Sequence, residues 1–128
     1  MAPEENKAIV RRFFEEFFNK RDFTVLDEIA ATYFIHHNNS ETQNLETYKQ
    51  QVHATRTAFP DCHFTIEDLI AQGDKVITRW TWHGTQTGEL IGITPTNMAL
   101  TCPGITIFQF AEGKIIEMWA CWDTAPLR

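Results

Sequence analysis

Cysteine is scarce in this chain and falls in no ligand pattern. The three residues, Cys62, Cys102 and Cys121, are far apart and odd in number, and no C-x-x-C pair occurs. Neither a zinc site nor a disulfide framework is suggested, so no metal is expected and the thiols read as free and buried in a reducing compartment. Positive charge is also short. Lys and Arg total 11 against 17 Asp and Glu, giving a net charge of −6. Arg11-Arg12 is an isolated pair, so a nucleic-acid partner, whose backbone repels such a surface, is not expected. No apolar run approaches the roughly 20 residues of a membrane span. The opening Met1–Lys7 has no apolar signal core, so the expectation is a cytoplasmic protein with no membrane partner. Internal repeats and low-complexity stretches are missing. So are G-x-G-x-x-G after a strand, a phosphate loop, G-x-S-x-G and H-E-x-x-H. Any chemistry must therefore come from scattered groups that meet in space.

What is present is apolar mass. The chain has 128 residues, 43% of them hydrophobic, and 10 are phenylalanine. That length favours a single domain over 1–128, and that composition suffices for a sizeable core. Residues 4–20 read as a helix, with Pro3 at its start and Glu4 and Glu5 at the positive end of its dipole. Ile9, Phe13 and Phe17 form one i,i+4 row, and Val10, Phe14 and Phe18 the next. Most of these rings are expected in the core, with one or two free to line a ligand cavity. Asp22 is placed to cap a short second helix through Leu26 and Ile29. Residues 31–40 read as an extended segment running into a polar loop. His36 and His37 point to opposite faces of it, so they form no bidentate metal clamp; a pocket hydrogen bond from one of them, or a surface or structural role, outweighs a metal here. Residues 44–58 form a third helix, with Leu45, Tyr48, Val52, Thr55 and Phe59 on one face and His53 beside it.

Strands follow. His63 to Ala71 alternates, with Phe64, Ile66, Asp68 and Ile70 expected on one side. Gln72-Gly73-Asp74-Lys75 is a hairpin turn. Val76 to His83 sets Val76, Thr78, Trp80 and Trp82 opposite Ile77, Arg79, Thr81 and His83. A Gly- and Pro-containing connection spans 84–96. The strand from Ala99 to Phe110 carries Ile105, Ile107 and Gln109 on one face. Glu112-Gly113 turns into the closing strand, where alternation places Ile115, Glu117, Trp119, Cys121 and Asp123 on one side. Helices first, then four antiparallel strands, predict an α+β layout with helices on one face of a curved sheet. The cone between them is a natural small-molecule site. A carboxylate beside tryptophan at the end of a buried strand is costly unless paired or protonated. Asp123 therefore reads as a strand-end cap or as a functional acid or base.

One series of short motifs adds to this reading. Ala58-Phe59-Pro60-Asp61 is followed by Gly73-Asp74-Lys75-Val76 and Arg79-Trp80. Gly84-Thr85, Gly88-Glu89, Gly92-Ile93 and Pro95-Thr96 come next, and then Gly113-Lys114-Ile115 with Glu117, Trp119 and Asp123. In order and spacing the series resembles the SnoaL-like polyketide cyclase (ester cyclase) family of the nuclear transport factor 2-like superfamily, over roughly residues 6–123. The resemblance implies a cone-shaped, cystatin-like α+β barrel: N-terminal helices packed on a curved, mostly antiparallel sheet around a deep pocket, commonly as a homodimer. It implies cofactor-independent chemistry, in which an aspartate near the end of the last strand serves as acid/base in an intramolecular aldol closure. Asp123 matches that position. Phe17, His53, Ile107, Gln109, Trp119 and Cys121 are the residues the family pocket would draw on. The chain departs from the pattern at Gln86, at Asn97, and at Gln109, which aligns with a histidine near the acid. Glutamine does not titrate, so His53 or His37 would have to substitute. Glu117 is expected in a structural hydrogen bond or ion pair, with Arg79 as a candidate partner. Two functions are compatible with this reading. One is a cyclase/isomerase acting through Asp123 on a small, mostly apolar carbonyl compound, and the other is a non-catalytic domain that binds a small apolar ligand.

Overall fold

The computed structural model describes residues 3–39, 41–88 and 97–123. The first helix, α1, covers Pro3–Arg12 and continues as a wider π-helix over Phe13–Asn19. Its i→i+5 character shows at its end, where the Lys20 N–H bonds the Glu15 carbonyl at 3.0 Å. Phe13, Phe14, Phe17 and Phe18 all lie in this stretch and all are buried. The short α2 covers Thr24–Ile29, and the Asp22 carboxylate accepts the Thr24 N–H at 3.2 Å. The third helix, α3, covers Leu45–Ala58 and is capped by Asn44, whose side-chain oxygen accepts the Thr47 N–H at 2.9 Å.

The strands are β1 Ala30–Asn38, β2 Glu41–Asn44, β3 His63–Gln72, β4 Lys75–Thr85, β5 Ala99–Ala111 and β6 Lys114–Trp122. They form one curved, unclosed sheet in the order β2-β1-β6-β5-β4-β3. The segment read as extended from sequence is thus a strand, and it pairs parallel to β6, the only parallel pair among the described residues. That raises the four expected strands to six and takes the closing strand from an edge into the middle of the sheet. The hairpin turns are short because their residues tolerate the geometry: Gly73 has φ 60°, and Glu112 and Gly113 have φ 51° and 78°. Asp61 accepts the Thr85 N–H at 2.7 Å, which ties the turn after α3 to the end of β4 and holds this carboxyl below its usual range. The connection foreseen at 84–96 ends β4 with Gly84 and Thr85. Its residues 89–96, and the tail 124–128, lie outside the described residues.

Two bulges overturn the expected alternation. Between Ile66 and Asp68 the β3–β4 register shifts, so Phe64 and Ile66 pair with Trp82 and Trp80 while Asp68 and Ile70 pair with Arg79 and Ile77. The four residues read as one face are split between two. Between Ile115 and Glu117 a second shift leaves Ile115 fully buried and turns Glu117, Trp119 and Cys121 the other way. One extra residue in a strand inverts every side chain beyond it, and a period-2 reading cannot detect that.

The helices cover one face of the sheet. Val76, Phe108, Met118 and His36 form one cross-strand row on that inner face, all buried. The next row is Thr78, Thr106, Ala120 and Asn38. Trp80 lies over Gly104, where a Cβ would come within 2.3 Å of the indole, and its Nε1 donates to the Thr106 hydroxyl at 2.8 Å. Phe64 packs edge-on against that indole, and Phe13, Phe14, Phe17 and Phe108 stack edge-on or tilted on one another to complete the core.

Candidate functional site

The structure separates the sequence-predicted site residues into four places. Phe17 is sealed in the core at 0% exposure, packed on Phe13 and Phe23. His53 is exposed on α3. His37, Ile107, Gln109, Trp119 and Cys121 lie on the outer face of the sheet, away from the helices. There Ile77, Ile107, Trp119 and His37 make one continuous row. The His37 ring stacks on Trp119, and its Nε2 sits 2.5 Å from the Glu117 carboxylate. Glu117 is therefore paired as expected, but with His37; Arg79 pairs with Asp68 at 2.7 Å.

The ladder also sets Gln109 opposite Glu117 and not beside Asp123. Six residues of extended chain separate those two positions on β6, about 20 Å. Asp123 lies just past the end of β6, exposed, with its N–H bonded to the Pro103 carbonyl at 3.1 Å. Its charge reaches the inner face: burial first, and the Asp123 carboxylate second, push the Cys102 thiol up to about 11. Cys102 pairs with Trp82 on the helix-covered side and is next along β5 to Pro103, whose carbonyl accepts the Asp123 N–H.

The inner face near this end of the sheet holds the polar groups that the sequence reading did not assemble. Asn38 accepts the Trp122 indole N–H at 2.6 Å. Between Asn38 and Thr106 the row carries only the methyl of Ala120, which is half-buried rather than sealed. Gln86 is buried at the inner end of β4 and donates to the Gly88 carbonyl at 3.1 Å. His36 is buried against Tyr48, and burial lowers it to about 4 despite its bond to Gln43. The sequence signal for His36 was its neighbour: once His37 faces outward, alternation sends His36 inward. Only the pairing of β1 with β6 reveals that inward means the core.

At the opposite end of β6, a cavity of about 420 Å³ lies between Pro3 and Asn6 of α1 and the turns at Gly73-Asp74 and Glu112-Gly113. Asn6 is 1% exposed there and its amide has no partner. None of the sequence-predicted site residues lines this cavity. No group of three or more His, Cys, Asp or Glu among the described residues could hold a metal ion. No described helix is long and apolar enough to cross a membrane.

Helices closing one face of a curved sheet, with polar groups gathered at one end of that face, define a nuclear transport factor 2-like α+β protein. Solved structures agree. The chain superposes on AclR, described as a hydroxylase, from Streptomyces galilaeus, with TM-score 0.89 and 22% identity, covering 98% of this chain and 80% of that one. A protein described as a SnoaL-like polyketide cyclase from Jannaschia sp. CCS1 gives 0.88 at 24% identity, covering 99% and 96%. IdmH from Streptomyces antibioticus, described as a polyketide cyclase, gives 0.85 at 23%, covering 95% and 94%. The sequence itself matches the SnoaL-like polyketide cyclase family over residues 8–128, and the chain belongs to that family. Comparison with curated proteins finds no significant match.

Proposed function

We propose that the protein is a cofactor-independent cyclase/isomerase-type enzyme. It acts by acid/base chemistry on a small, mostly apolar, carbonyl-bearing, polyketide-like substrate held between the inner face of the sheet and the helices. Asp123 is the acid/base. The observation that supports this reading is that Asp123 directly follows β6, with its N–H on the Pro103 carbonyl, next along β5 to the inward-facing Cys102. Family membership supports it. In an aldol closure the carboxylate takes a proton α to one carbonyl. The resulting enolate carbon attacks a second carbonyl of the same molecule, forming one C–C bond. The alkoxide so made is then protonated, which returns the carboxyl to its starting state. Hydrogen-bond donors on the developing oxyanion lower the barrier most when they are fixed in place beforehand.

A second reading has its own observation. Gln109 sits opposite Glu117, so no histidine pairs with Asp123 through that position, and a binding domain without turnover needs no such pair. Asp123→Asn separates the two. For the enzyme, turnover of a ketosteroid- or polyketide-like carbonyl compound falls by at least about a hundredfold while ligand affinity holds, in line with the loss of a general acid/base. Absence of turnover by the wild-type protein on any such compound sinks the enzymatic reading and leaves the binding one.

As part of the same proposal the protein is a cytoplasmic homodimer, and the outer face is the surface that would form the interface. Ile77 is 43% exposed, Ile105 48% and Trp119 37%, a contiguous apolar surface of the kind that marks an interface. Trp119→Glu is expected to shift sedimentation from dimer to monomer. A wild-type protein that sediments as a monomer at tens of micromolar refutes this part.

A further inference from the structure

The cavity beside the start of β6 takes no part in the chemistry proposed above. Asp123 stands past the opposite end of that strand, about 30 Å of extended chain away. The two hairpin turns, Gly73-Asp74 and Glu112-Gly113, form one side of the cavity. The Phe110 N–H donates to the Asp74 carbonyl at 2.8 Å, which ties the strand entering the second turn to the first turn. Positive φ at Gly73, Glu112 and Gly113 sets the shape of both turns. Helix α1 closes the cavity through Pro3 and Asn6, its first and fourth residues. The volume, about 420 Å³, is of the size that holds a small organic molecule. Asn6 is 1% exposed, and neither its amide nitrogen nor its amide oxygen has a hydrogen-bond partner among the described residues. A donor and an acceptor that are both unpaired and both shielded from bulk water are costly, and buried amides are nearly always bonded.

We propose that this cavity is a second ligand site, which holds a neutral primary carboxamide or lactam on the Asn6 amide. Such a group carries a C=O and an N–H side by side on one edge. Its carbonyl accepts from Asn6 Nδ2 while its N–H donates to Asn6 Oδ1, two parallel bonds that satisfy both atoms at once. An ammonium ion has donors only and leaves Nδ2 unpaired. A carboxylate has acceptors only and leaves Oδ1 unpaired. It also meets Asp74 and Glu112, the two charged side chains of the described lining, and like charges repel it. Phe110, in the same lining, offers apolar surface to the rest of the molecule. The site shares no residue with the Asp123 reading and does not depend on it.

The test follows the ¹⁵N-labelled full-length protein by NMR as 2-piperidone, a lactam, or N-methyl-2-piperidone is added. The methyl group removes the donor and keeps the carbonyl. The lactam should shift the Asn6 side-chain NH2 signals and the backbone signals of Gly73 and Gly113. It should bind about tenfold more tightly than its N-methyl analogue, the worth of one buried hydrogen bond. Benzamide presents the same edge as a primary amide. Binding of benzamide alone, or of 2-piperidone alone, identifies the carrier that fits and supports the proposal in either case. Asn6→Leu should abolish binding of both. It should also unfold at a urea concentration no lower than the wild type, because it removes a buried amide that the free protein leaves unpaired. Equal or tighter binding of the N-methyl compound overturns the proposal. So does the absence of any shift at Asn6 with both amides, since the cavity then holds water only. A clearly less stable Asn6→Leu overturns it as well, because the amide is then satisfied within the protein itself.

Discussion

Lowering the pH should destabilise this protein through His36. Burial outweighs the Gln43 hydrogen bond, and His37 adds a small like-charge effect, so the imidazole falls from 6.5 to about 4 on folding. The folded value is depressed, so between the two values the unfolded chain binds more protons than the native one. The neutral buried ring therefore contributes stability that is present in full above about pH 6.5 and is lost as the pH falls through about 4. At roughly 1.4 kcal/mol per pH unit the whole displacement corresponds to about 3 kcal/mol, most of it gone by pH 4.5. Other carboxyls also titrate over this range. Asp61, held low by the Thr85 N–H, adds its own loss toward acid. Those effects are common to wild type and His36→Phe, so the difference between the two isolates His36. Urea unfolding at pH 7.5 and 4.5 measures it. The wild-type protein should lose about 2 kcal/mol more than His36→Phe between these values, an order-of-magnitude figure. Identical pH dependence in the two proteins would refute the placement of a neutral, buried His36.

Two further outcomes follow from the packing at Trp80. Gly104→Ala puts a methyl 2.3 Å from the indole and 2.8 Å from the Trp122 Cβ, distances at which something must move. A loss of about 1–3 kcal/mol in urea is expected, with a change in tryptophan fluorescence, and an unchanged midpoint counts against this geometry. Thr106→Val removes the acceptor of the Trp80 N–H and should cost about 1–3 kcal/mol. Thr106→Ser keeps the hydroxyl and should recover most of that loss, and a serine variant as unstable as valine would show that the methyl, not the bond, matters.

Much of the fold can be read from the residues because local chemistry and long-range packing agree there. Asn44 caps α3 where the helical face begins, and Phe59-Pro60 ends it. Gly73 and Gly113 stand at the two hairpin turns because both need positive φ. The paired phenylalanine rows of the first helix are buried as their spacing requires. Even so, the widening of that helix to π geometry over Phe13–Asn19 leaves no mark in a pattern of apolar residues.

The candidate site is legible in part, and the reasons are specific. Alternation puts Glu117, Trp119 and Cys121 on one face and His36 opposite His37. It does not say which face meets the helices. Trp119, expected at the pocket, is 37% exposed on the outside, while His36, whose face alternation left open, is 4% exposed within. Nor does the motif that ends in Asp123 fix what stands across from it; the register of β5 and β6 does, and it gives Gln109 to Glu117.

The sequence by itself determined the class of this protein: helices before strands, turns at the glycines, a core of phenylalanine and a family pattern running almost the length of the chain. Tertiary structure decided which residues share the site. A strand repeats every two residues, so one bulge near Ile115 and one near Glu67 reassign every side chain beyond them. The parallel pairing of β1 with β6 joins residues about eighty positions apart, His37 with Trp119 and His36 with Met118, and no local pattern carries that contact. Side-chain type comes from the chain, whereas the face it points to, and so its chemistry, comes from register.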